Sequence, residues 1–256
     1  MNSNKQSSTP VELSPEEKER YQRQLLAWSI EDQLKLKEST VLVVGVGGLG
    51  SSITIYLTAV GVGKLILVDG EVVELSNLNR QVLYSVDDIG KPKVYVAAEK
   101  LRKLNPHVEI KPVKARLTEE LAEELVPKAD VVVDALDNWE TRLVLNKVCV
   151  KYRKPLVHGG IEAWYGQAMT IIPGKTPCLQ CLVPTPPKSK KTPIPVVPMT
   201  PGIIGLIEAN EVVKLLLGRG ELLLNRMLVY DGFRGEFMAI KVSRNPNCPV
   251  CSMIED

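Results

Sequence analysis

The sequence predicts an α/β protein with a doubly wound, mostly parallel sheet of the Rossmann-like kind. Apolar, β-branched runs alternate with amphipathic helical stretches through the first 160 residues, an alternation that is typical of such sheets. A glycine-rich turn follows the first apolar run, and an aspartate ends the second. From about residue 162 the pattern changes, and the strands there predict a C-terminal mixed or antiparallel region closed by a four-cysteine zinc clamp.

The first predicted element is a helix that begins after Ser14. The segment Ser-Pro-Glu-Glu places a serine at the N-cap, a proline in the first turn and Glu17 at the third helical position, which together form a capping box. We expect this helix to run to about Trp28. The polar residues 1–13 are predicted to be a disordered tail, and residues 14–256 a single domain with a nucleotide-binding part at 14–160 and a second part at 161–256.

The segment TVLVVGVGGLG at residues 40–50 carries the next signal. The predicted unit consists, in order, of a strand at 41–44, a turn with Gly45, Gly47 and Gly50, a helix at 49–60, a strand at Lys64–Val68, and Asp69, nineteen residues after Gly50. In such a βαβ unit the glycines let the backbone approach phosphate, the helix N-terminus offers free N–H groups, and the acid binds a ribose hydroxyl. Taken alone, this unit predicts a nucleotide site and favours NAD.

Two cations shortly after Asp69 change the predicted nucleotide. Arg80 lies in the hexapeptide SNLNRQ, and Lys93 ends the segment GKPK. A dehydrogenase has no need of them, whereas two fixed cations beside a glycine turn can neutralise the β- and γ-phosphates and the leaving pyrophosphate of a triphosphate. The alternative is that both residues are ordinary surface charges.

The remaining predicted elements continue the alternation and then depart from it. In order they are a helix at Lys93–Leu104, a strand at 108–113, a helix at 119–126, a strand at 130–136, a helix from 138 to about 152, a strand at 155–158, a strand or hairpin at 163–172, a crossover loop at 184–201, a helix at 202–217, and strands at 227–230 and 236–242. The crossover loop holds seven prolines and three lysines, which predicts a stiff, solvated segment without regular structure. Gly45, Asp69 and Asp137 each follow the carboxyl end of a predicted strand, so we expect them to meet in one crevice.

Composition excludes several classes of protein. The net charge is +2, which gives no support for nucleic-acid binding. No apolar run reaches the ~18 residues of a membrane span, and the polar N-terminus lacks the apolar core of a signal peptide. We therefore expect a cytoplasmic protein, in which the five cysteines point to metal binding or chemistry before disulfides.

Four of the cysteines form two matching pairs. Cys178 and Cys181 make one CxxC motif, and Cys248 and Cys251 make the other, with 66 residues between the motifs. Two such pairs complete a closed tetrahedral zinc site of the structural kind; a redox CxxC or isolated buried cysteines are the alternatives. Cys149 lies in an apolar helical stretch, where packing is the expected role.

The chain has two histidines. His107 follows Asn-Pro in a turn and is expected at the surface. His158 ends a strand before two glycines, where it is expected to be structural, with a place at the crevice border as the alternative. With two histidines, the chain has few candidates for a catalytic Ser/His/Asp or Cys/His arrangement.

The ordered set RYQRQ, GVGGLG, Asp69, SNLNRQ, GKPK, DALDN and paired CxxC resembles one family closely. It is similar to the ubiquitin-activating-like adenylyltransferases of sulfur-carrier pathways, namely the molybdopterin-synthase and thiazole-biosynthesis adenylyltransferases, over roughly residues 14–252. The resemblance implies a homodimer that uses ATP to adenylate the C-terminal Gly-Gly of a small ubiquitin-like carrier protein. It also implies these roles: Gly45, Gly47, Gly48 and Gly50 line the nucleotide turn, Asp69 binds the ribose, Asn77, Arg80 and Lys93 face the phosphates, Asp137 coordinates magnesium beside Asn138, and Arg23 enters the partner subunit's site.

The implied chemistry suits these residue types. A glycine carboxylate, with a pKa of about 3.5, is already ionised at neutral pH, so the obstacle is repulsion between two anions and not deprotonation. Arg23, Arg80, Lys93 and magnesium on Asp137 therefore suffice without a histidine base. Asp137 has an alternative role as the N-cap of the helix that follows it.

One departure from the family narrows the expected reaction. Members that form a covalent sulfur or thioester link carry a cysteine in the crossover loop, and residues 184–201 contain none. Adenylation alone is therefore expected, with sulfur insertion left to a separate sulfurtransferase.

The competing hypotheses are an NAD-dependent dehydrogenase with a zinc appendage and a non-catalytic carrier-binding scaffold. A relative that adenylates a modified tRNA base is disfavoured by the paired CxxC motifs and the near-neutral charge.

Overall fold

The structure is a computed structural model that describes residues 12–186 and 194–254. The described strands are β1 (Thr40–Val44), β2 (Lys64–Val68), β3 (Glu109–Val113), β4 (Val131–Asp134), β5 (Leu156–Glu162), β6 (Tyr165–Ile171), β7 (Arg226–Asp231) and β8 (Glu236–Lys241). The described helices are α1 (Pro15–Arg20), α2 (Ile30–Glu38), α3 (Gly48–Val60), α4 (Lys93–Leu104), α5 (Glu119–Leu125), α6 (Trp139–Lys151), α7 (Leu179–Leu182) and α8 (Met199–Leu217).

These strands form an eight-stranded sheet in the order β3-β2-β1-β4-β5-β6-β7-β8. The pairings from β3 through β5 are parallel, and those from β5 through β8 are antiparallel. The predicted fold class, a mostly parallel doubly wound sheet with an antiparallel C-terminal region, is confirmed.

The central strands have continuous apolar sequences because helices cover both of their faces. Along β1, Val41 and Val43 belong to the core beneath α3, α4 and α8. Leu42 and Val44 point the other way, into the core beneath α5 and α6. The order of strands leaves β1 beside both β2 and β4, so the loops that follow these three strands lie side by side at one edge of the sheet.

The N-terminal helix is shorter than predicted. Helix α1 begins at the expected capping box on Ser14 but ends at Arg20, and a 3-10 turn at Gln24–Leu26 follows. The chain turns because Tyr21 is buried, with its hydroxyl bonded to Asn105. A second capping box, which the sequence analysis missed, starts α2. The predicted tail lies outside the described residues except for Glu12 and the buried Leu13.

The predicted crossover loop also differs at its end. Its last three residues, Met199 to Pro201, are the first turn of α8, where a proline is tolerated because its missing N–H has no intrahelical partner. Before this turn, Val196 bridges to Ala163 in the β5–β6 hairpin. Residues 187–193 lie outside the described residues. Among the helices that the structure does describe, none has the length and apolar character required to cross a membrane.

Candidate active site

The glycine turn connects β1 to α3 as predicted. Gly45 has a φ of +95°, and a Cβ added there would lie 2.5 Å from the Ala135 carbonyl oxygen, so the turn and the end of β4 are in close contact. Gly47 is the N-cap of α3 and has no side chain to bond the first-turn N–H groups. These N–H groups can therefore bind an anion at the start of a 13-residue helix.

Asp69 follows β2 and contacts the glycine turn directly. Its Oδ2 accepts a hydrogen bond from the Val46 N–H at 2.9 Å, and its Oδ1 accepts one from the Glu71 N–H at 2.8 Å. Burial raises the pKa of Asp69, with these two backbone bonds and the charge of Lys93 opposing the rise. Each carboxylate oxygen keeps a lone pair for a further donor such as a ribose hydroxyl.

Arg80 lies against the first turn of α3. A Cβ added to Gly48 would be 3.6 Å from the Arg80 Cγ, and the guanidinium is held by the Ser76 carbonyl at 2.9 Å and by Asn79 Oδ1 at 3.0 Å. The side chain is half-buried. The sequence hypothesis that places a cation beside the glycine turn thus has a geometric basis.

Lys93 is buried, with a side chain only 3% exposed, and its ammonium bonds Glu71 Oε2 at 2.7 Å. The alternative of an ordinary surface charge does not fit a lysine in this position. Glu71, which the sequence analysis did not single out, lies two residues after Asp69 and brings the lysine to the same edge of the sheet. A buried ammonium with one carboxylate partner has donors left for phosphate oxygens.

Asn77 is buried and has a local role in the same connection. Its Oδ1 accepts the Glu74 N–H at 3.1 Å, which closes the capping box of the 3-10 turn Leu75–Asn77. This turn positions Arg80 three residues later. A contact between Asn77 and phosphate stays a prediction.

Asp137 and Asn138 follow β4 at the same edge. The helix α6 is capped by Asn138, whose Oδ1 accepts the Thr141 N–H at 3.0 Å; the alternative that Asp137 is the N-cap is wrong. Asp137 is exposed, and Asn138 Nδ2 donates to its Oδ1 at 3.2 Å. Magnesium is commonly held by one or two carboxylates together with substrate phosphates, and Asp137 suits that role. The Asn138 oxygen is engaged by the cap.

Arg23 does not join this group within its own chain. It is exposed in the turn between α1 and the 3-10 turn Gln24–Leu26, and no hydrogen bond or ion pair among the described residues involves its side chain. The next exposed apolar residue, Leu26, is 82% exposed. The arrangement is compatible with a contact outside the subunit.

Both histidines face a carboxylate side chain. His158 is buried, and its Nδ1 lies 2.7 Å from Asp134 Oδ2; burial lowers the pKa of His158, so the ring is neutral at pH 7. His107, expected at the surface, is half-buried and faces Glu16 at 3.3 Å. The sequence analysis missed the partners of His158, which are Asp134 and Arg142.

The four cysteines of the two CxxC pairs meet as predicted. Their Sγ atoms all lie within 4.8 Å of one another, with separations of 4.0 Å for Cys178–Cys181, 3.6 Å for Cys178–Cys248 and 3.4 Å for Cys181–Cys251. A tetrahedral zinc with bonds of about 2.3 Å needs sulfur–sulfur distances of about 3.8 Å, so the cluster fits a structural zinc. Three of the four cysteines are buried. Four sulfur ligands would fill the tetrahedral coordination of zinc and leave no open position for a substrate. Cys149 is a separate, buried packing residue.

The fold is a Rossmann-like α/β fold with a glycine turn, Asp69, Arg80 and Lys93 at one edge of its sheet. The model of the ThiF family matches residues 21–250, and the chain belongs to the ThiF family. It is 44% identical over 247 residues to the SAMP-activating enzyme E1 of Haloferax volcanii, covering 94% of this chain and 91% of that protein.

Two further comparisons agree. The sulfur carrier protein adenylyltransferase of Thermus thermophilus is 42% identical over 247 residues, covering 92% of this chain and 91% of that protein. The crystal structure of E. coli MccB with ATP superposes with a TM-score of 0.81 at 26% identity, covering 91% of this chain and 74% of that one. The family resemblance is confirmed, and the chain is an adenylyltransferase. Enzymes of this family use ATP with Mg²⁺, so the dehydrogenase alternative is not favoured.

Proposed function

We propose that this enzyme adenylates the C-terminal glycine carboxylate of a small ubiquitin-like sulfur-carrier protein, using ATP and releasing pyrophosphate. One observation supports this above the others: Arg80 and the buried Lys93 flank the glycine turn and Asp69 at one edge of the sheet. The relatives named above are activating enzymes or adenylyltransferases of such carriers. The product supplies molybdopterin, thiamine or tRNA-thiolation chemistry, in the cytoplasm, depending on the carrier.

The residues of the site have different roles in this reaction between two anions, the carrier carboxylate and ATP. The first-turn N–H groups of α3 bind the α-phosphate, and Asp69 binds the ribose. Arg80 and Lys93 neutralise the β- and γ-phosphates and the departing pyrophosphate. Asp137 holds Mg²⁺, which when bound neutralises further phosphate charge. No general base is required, because the attacking carboxylate is already ionised.

A protein substrate is supported by the antiparallel end of the sheet. All six residues of the edge strand β8 are exposed, and Phe237, Met238 and Ile240 are each about half exposed. The turn between β7 and β8 adds Phe233, which is 77% exposed and packs edge-on against Trp164. Phe237 lies on one face of this edge strand, and Met238 and Ile240 lie on the other. Exposed apolar side chains on an edge strand are typical of a protein-binding surface. ATP–pyrophosphate exchange, assayed with each candidate carrier, tests the substrate; exchange with none of them would contradict the proposal.

A homodimer is supported by a second apolar surface near the phosphate-binding connection. Leu75, Val82 and Val86 are each about two-thirds exposed, and they flank Arg80 in the sequence. Leu26, close to Arg23, is exposed as well. In the proposed dimer these surfaces are covered and Arg23 enters the partner subunit's site.

Complementation tests the shared site. Arg23→Ala and Arg80→Ala should each be inactive alone, because each removes one cation from every site. After subunit exchange in an equal mixture, half of the dimers are mixed and one of their two sites is intact, so activity should return to about a quarter of the wild-type value. Exchange is verified with differently tagged subunits. No recovery in a verified mixture would place Arg23 outside the partner's site.

The missing loop cysteine predicts where the reaction stops. Cys149 is buried and burial raises the pKa of its thiol well above the ordinary value, so it cannot attack an acyl-adenylate. We expect carrier and ATP to yield a tightly held acyl-adenylate, with sulfur added by a separate sulfurtransferase. Cys149→Ala should leave the rate of pyrophosphate exchange unchanged. Mass spectrometry under non-reducing conditions checks this: a carrier–enzyme adduct released by reductant or hydroxylamine would contradict it.

A further inference from the structure

A buried polar cluster lies next to the segment that carries Asp137. Its members are Asp134 at the end of β4, His158 on β5, Arg142 on α6 and Glu208 on α8, and all four are at most 6% exposed. His158 Nδ1 bonds Asp134 Oδ2 at 2.7 Å, and Arg142 Nη1 lies 3.2 Å from the same ring nitrogen and 3.7 Å from Asp134 Oδ2. The proposed reaction uses none of these groups directly.

The cluster holds the residue immediately before Asp137 at both of its backbone groups. The Leu136 N–H donates to Asp134 Oδ1 at 3.1 Å, and the Leu136 carbonyl accepts a hydrogen bond from Arg142 Nη2. Asn138, on the other side of Asp137, is fixed as the cap of α6. The backbone on either side of Asp137 is therefore held in place, and Arg142 connects Leu136 to the buried Asp134.

The guanidinium itself is fixed from several sides. It lies 5.5 Å from the centroid of the Trp139 ring, which supplies a cation–π contact. A Cβ added to Gly160 would come within 3.4 Å of Arg142 Nη1, and one added to Gly159 would overlap the Glu208 carboxyl group. Because Gly159 and Gly160 have no side chains, the side chains of Glu208 and Arg142 can occupy the space next to them.

The charges of the cluster balance. Burial raises the pKa of Asp134, but the charge of Arg142 and the hydrogen bond from His158 outweigh it and the pKa is lowered. Burial raises the pKa of Glu208 well above its usual range, and the charge of Asp134 adds to the rise. Neither Glu208 oxygen has a hydrogen-bond partner among the described residues. With Glu208 and His158 neutral, Asp134 and Arg142 form one ion pair, and Arg142 is oriented by it.

We propose that Arg142, oriented by Asp134 and His158, is a positioning residue that fixes Asp137 for binding Mg²⁺ in the ATP complex. The inference rests on the magnesium role given to Asp137 in the proposed function. Outer partners that orient a metal ligand are worth about 10–100-fold in metal affinity. Arg142 should therefore act on the magnesium requirement of the reaction more than on the affinity for ATP.

The test measures two quantities over a range of Mg²⁺ concentrations with the full-length enzyme. One is ATP–pyrophosphate exchange with the carrier, and the other is binding of ATP without the carrier, by equilibrium dialysis. Arg142→Lys keeps the charge but cannot bond Leu136 and the Asp134–His158 pair together; it should raise the half-saturating Mg²⁺ concentration about tenfold or more. His158→Gln, a milder change in the same cluster, should raise it less. The Michaelis constant for ATP at saturating Mg²⁺ should change little in either variant.

Two control variants make the outcomes distinct. Glu211→Gln changes another buried acid of α8, which bonds Thr170 and the Leu223 N–H, and it should lower the melting temperature without moving the Mg²⁺ curve. Asp137→Asn should move the curve strongly. If Asp137→Asn moves the curve while the folded Arg142→Lys and His158→Gln variants do not, the positioning role is overturned. If Asp137→Asn also leaves the curve unchanged, the magnesium role in the proposed function is overturned, and the positioning role falls with it.

Discussion

Replacing Arg80 with Ala should reduce ATP–pyrophosphate exchange about 10³-fold or more, the usual effect of removing a cation that stabilises a phosphoryl-type transition state. The side chain lies against the first turn of α3, where the phosphate chain of ATP is expected. Among the residues that the structure describes, its side chain bonds only Ser76 and Asn79 of the same connection. The fold should therefore survive the change, and a thermal melt close to that of the wild type would show it.

Arg219 offers a matched control for this experiment. It is also an arginine with a partly exposed side chain, and it pairs with Asp32 at 2.7 Å beyond the end of α8. Arg219→Ala should keep exchange close to the wild-type rate, although it removes the same charge from the protein. Wild-type exchange in Arg80→Ala would remove the main support for the proposed phosphate site.

Loss of the zinc cluster should have the second large effect, on stability. Cys178→Ser removes one of four sulfur ligands, and structural zinc sites contribute several kcal/mol to folding. At about 2–4 °C per kcal/mol for a chain of this size, the melting temperature should fall by about 10 °C or more. Exchange per folded molecule should fall much less, because the cluster lies in the core on the face of the sheet opposite α3.

The cysteine outside the cluster provides the control. Cys149→Ala changes an equally buried sulfur, so it should cost packing energy but leave the metal content at about one zinc per chain. Elemental analysis of protein purified without chelators measures both variants. Wild-type protein without zinc, or Cys178→Ser with full zinc and an unchanged melting temperature, would contradict the structural role.

Much of the fold was predictable because its signals are local. The β1–α3–β2 unit was predicted within one residue at each boundary, since glycines bound the helix and β-branched runs form the strands. The zinc cluster was predictable because two CxxC spacings leave few other arrangements. Where local signals competed, prediction was wrong: the continuous helix expected from Ser14 is broken by the burial of Tyr21, a tertiary contact with Asn105 that the sequence does not reveal.

The candidate site was predictable only in part. Arg80 and Lys93 could be chosen from their spacing, but Glu71, the partner of Lys93, could not. The cluster around Arg142 was missed because its members come from β4, α6, β5 and α8 and meet only in the folded chain. Asp137 and Asn138 are adjacent residues that both suit an N-cap, and the helix geometry alone assigned the cap to Asn138.

The crossover between Pro186 and Ile194 separates two parts of the chain that are joined in three other ways. Residues 12–186 supply strands β1 to β6 and the first CxxC pair, and residues 194–254 supply α8, β7, β8 and the second pair. Strand β7 pairs with β6, α8 packs against α3, and the cysteines of both parts share one cluster. The two parts of the chain thus resemble the fragments of a split protein, because contacts outside the crossover hold them together. A single cut or an inserted sequence in this crossover would therefore leave the sheet, the nucleotide site and the zinc cluster assembled.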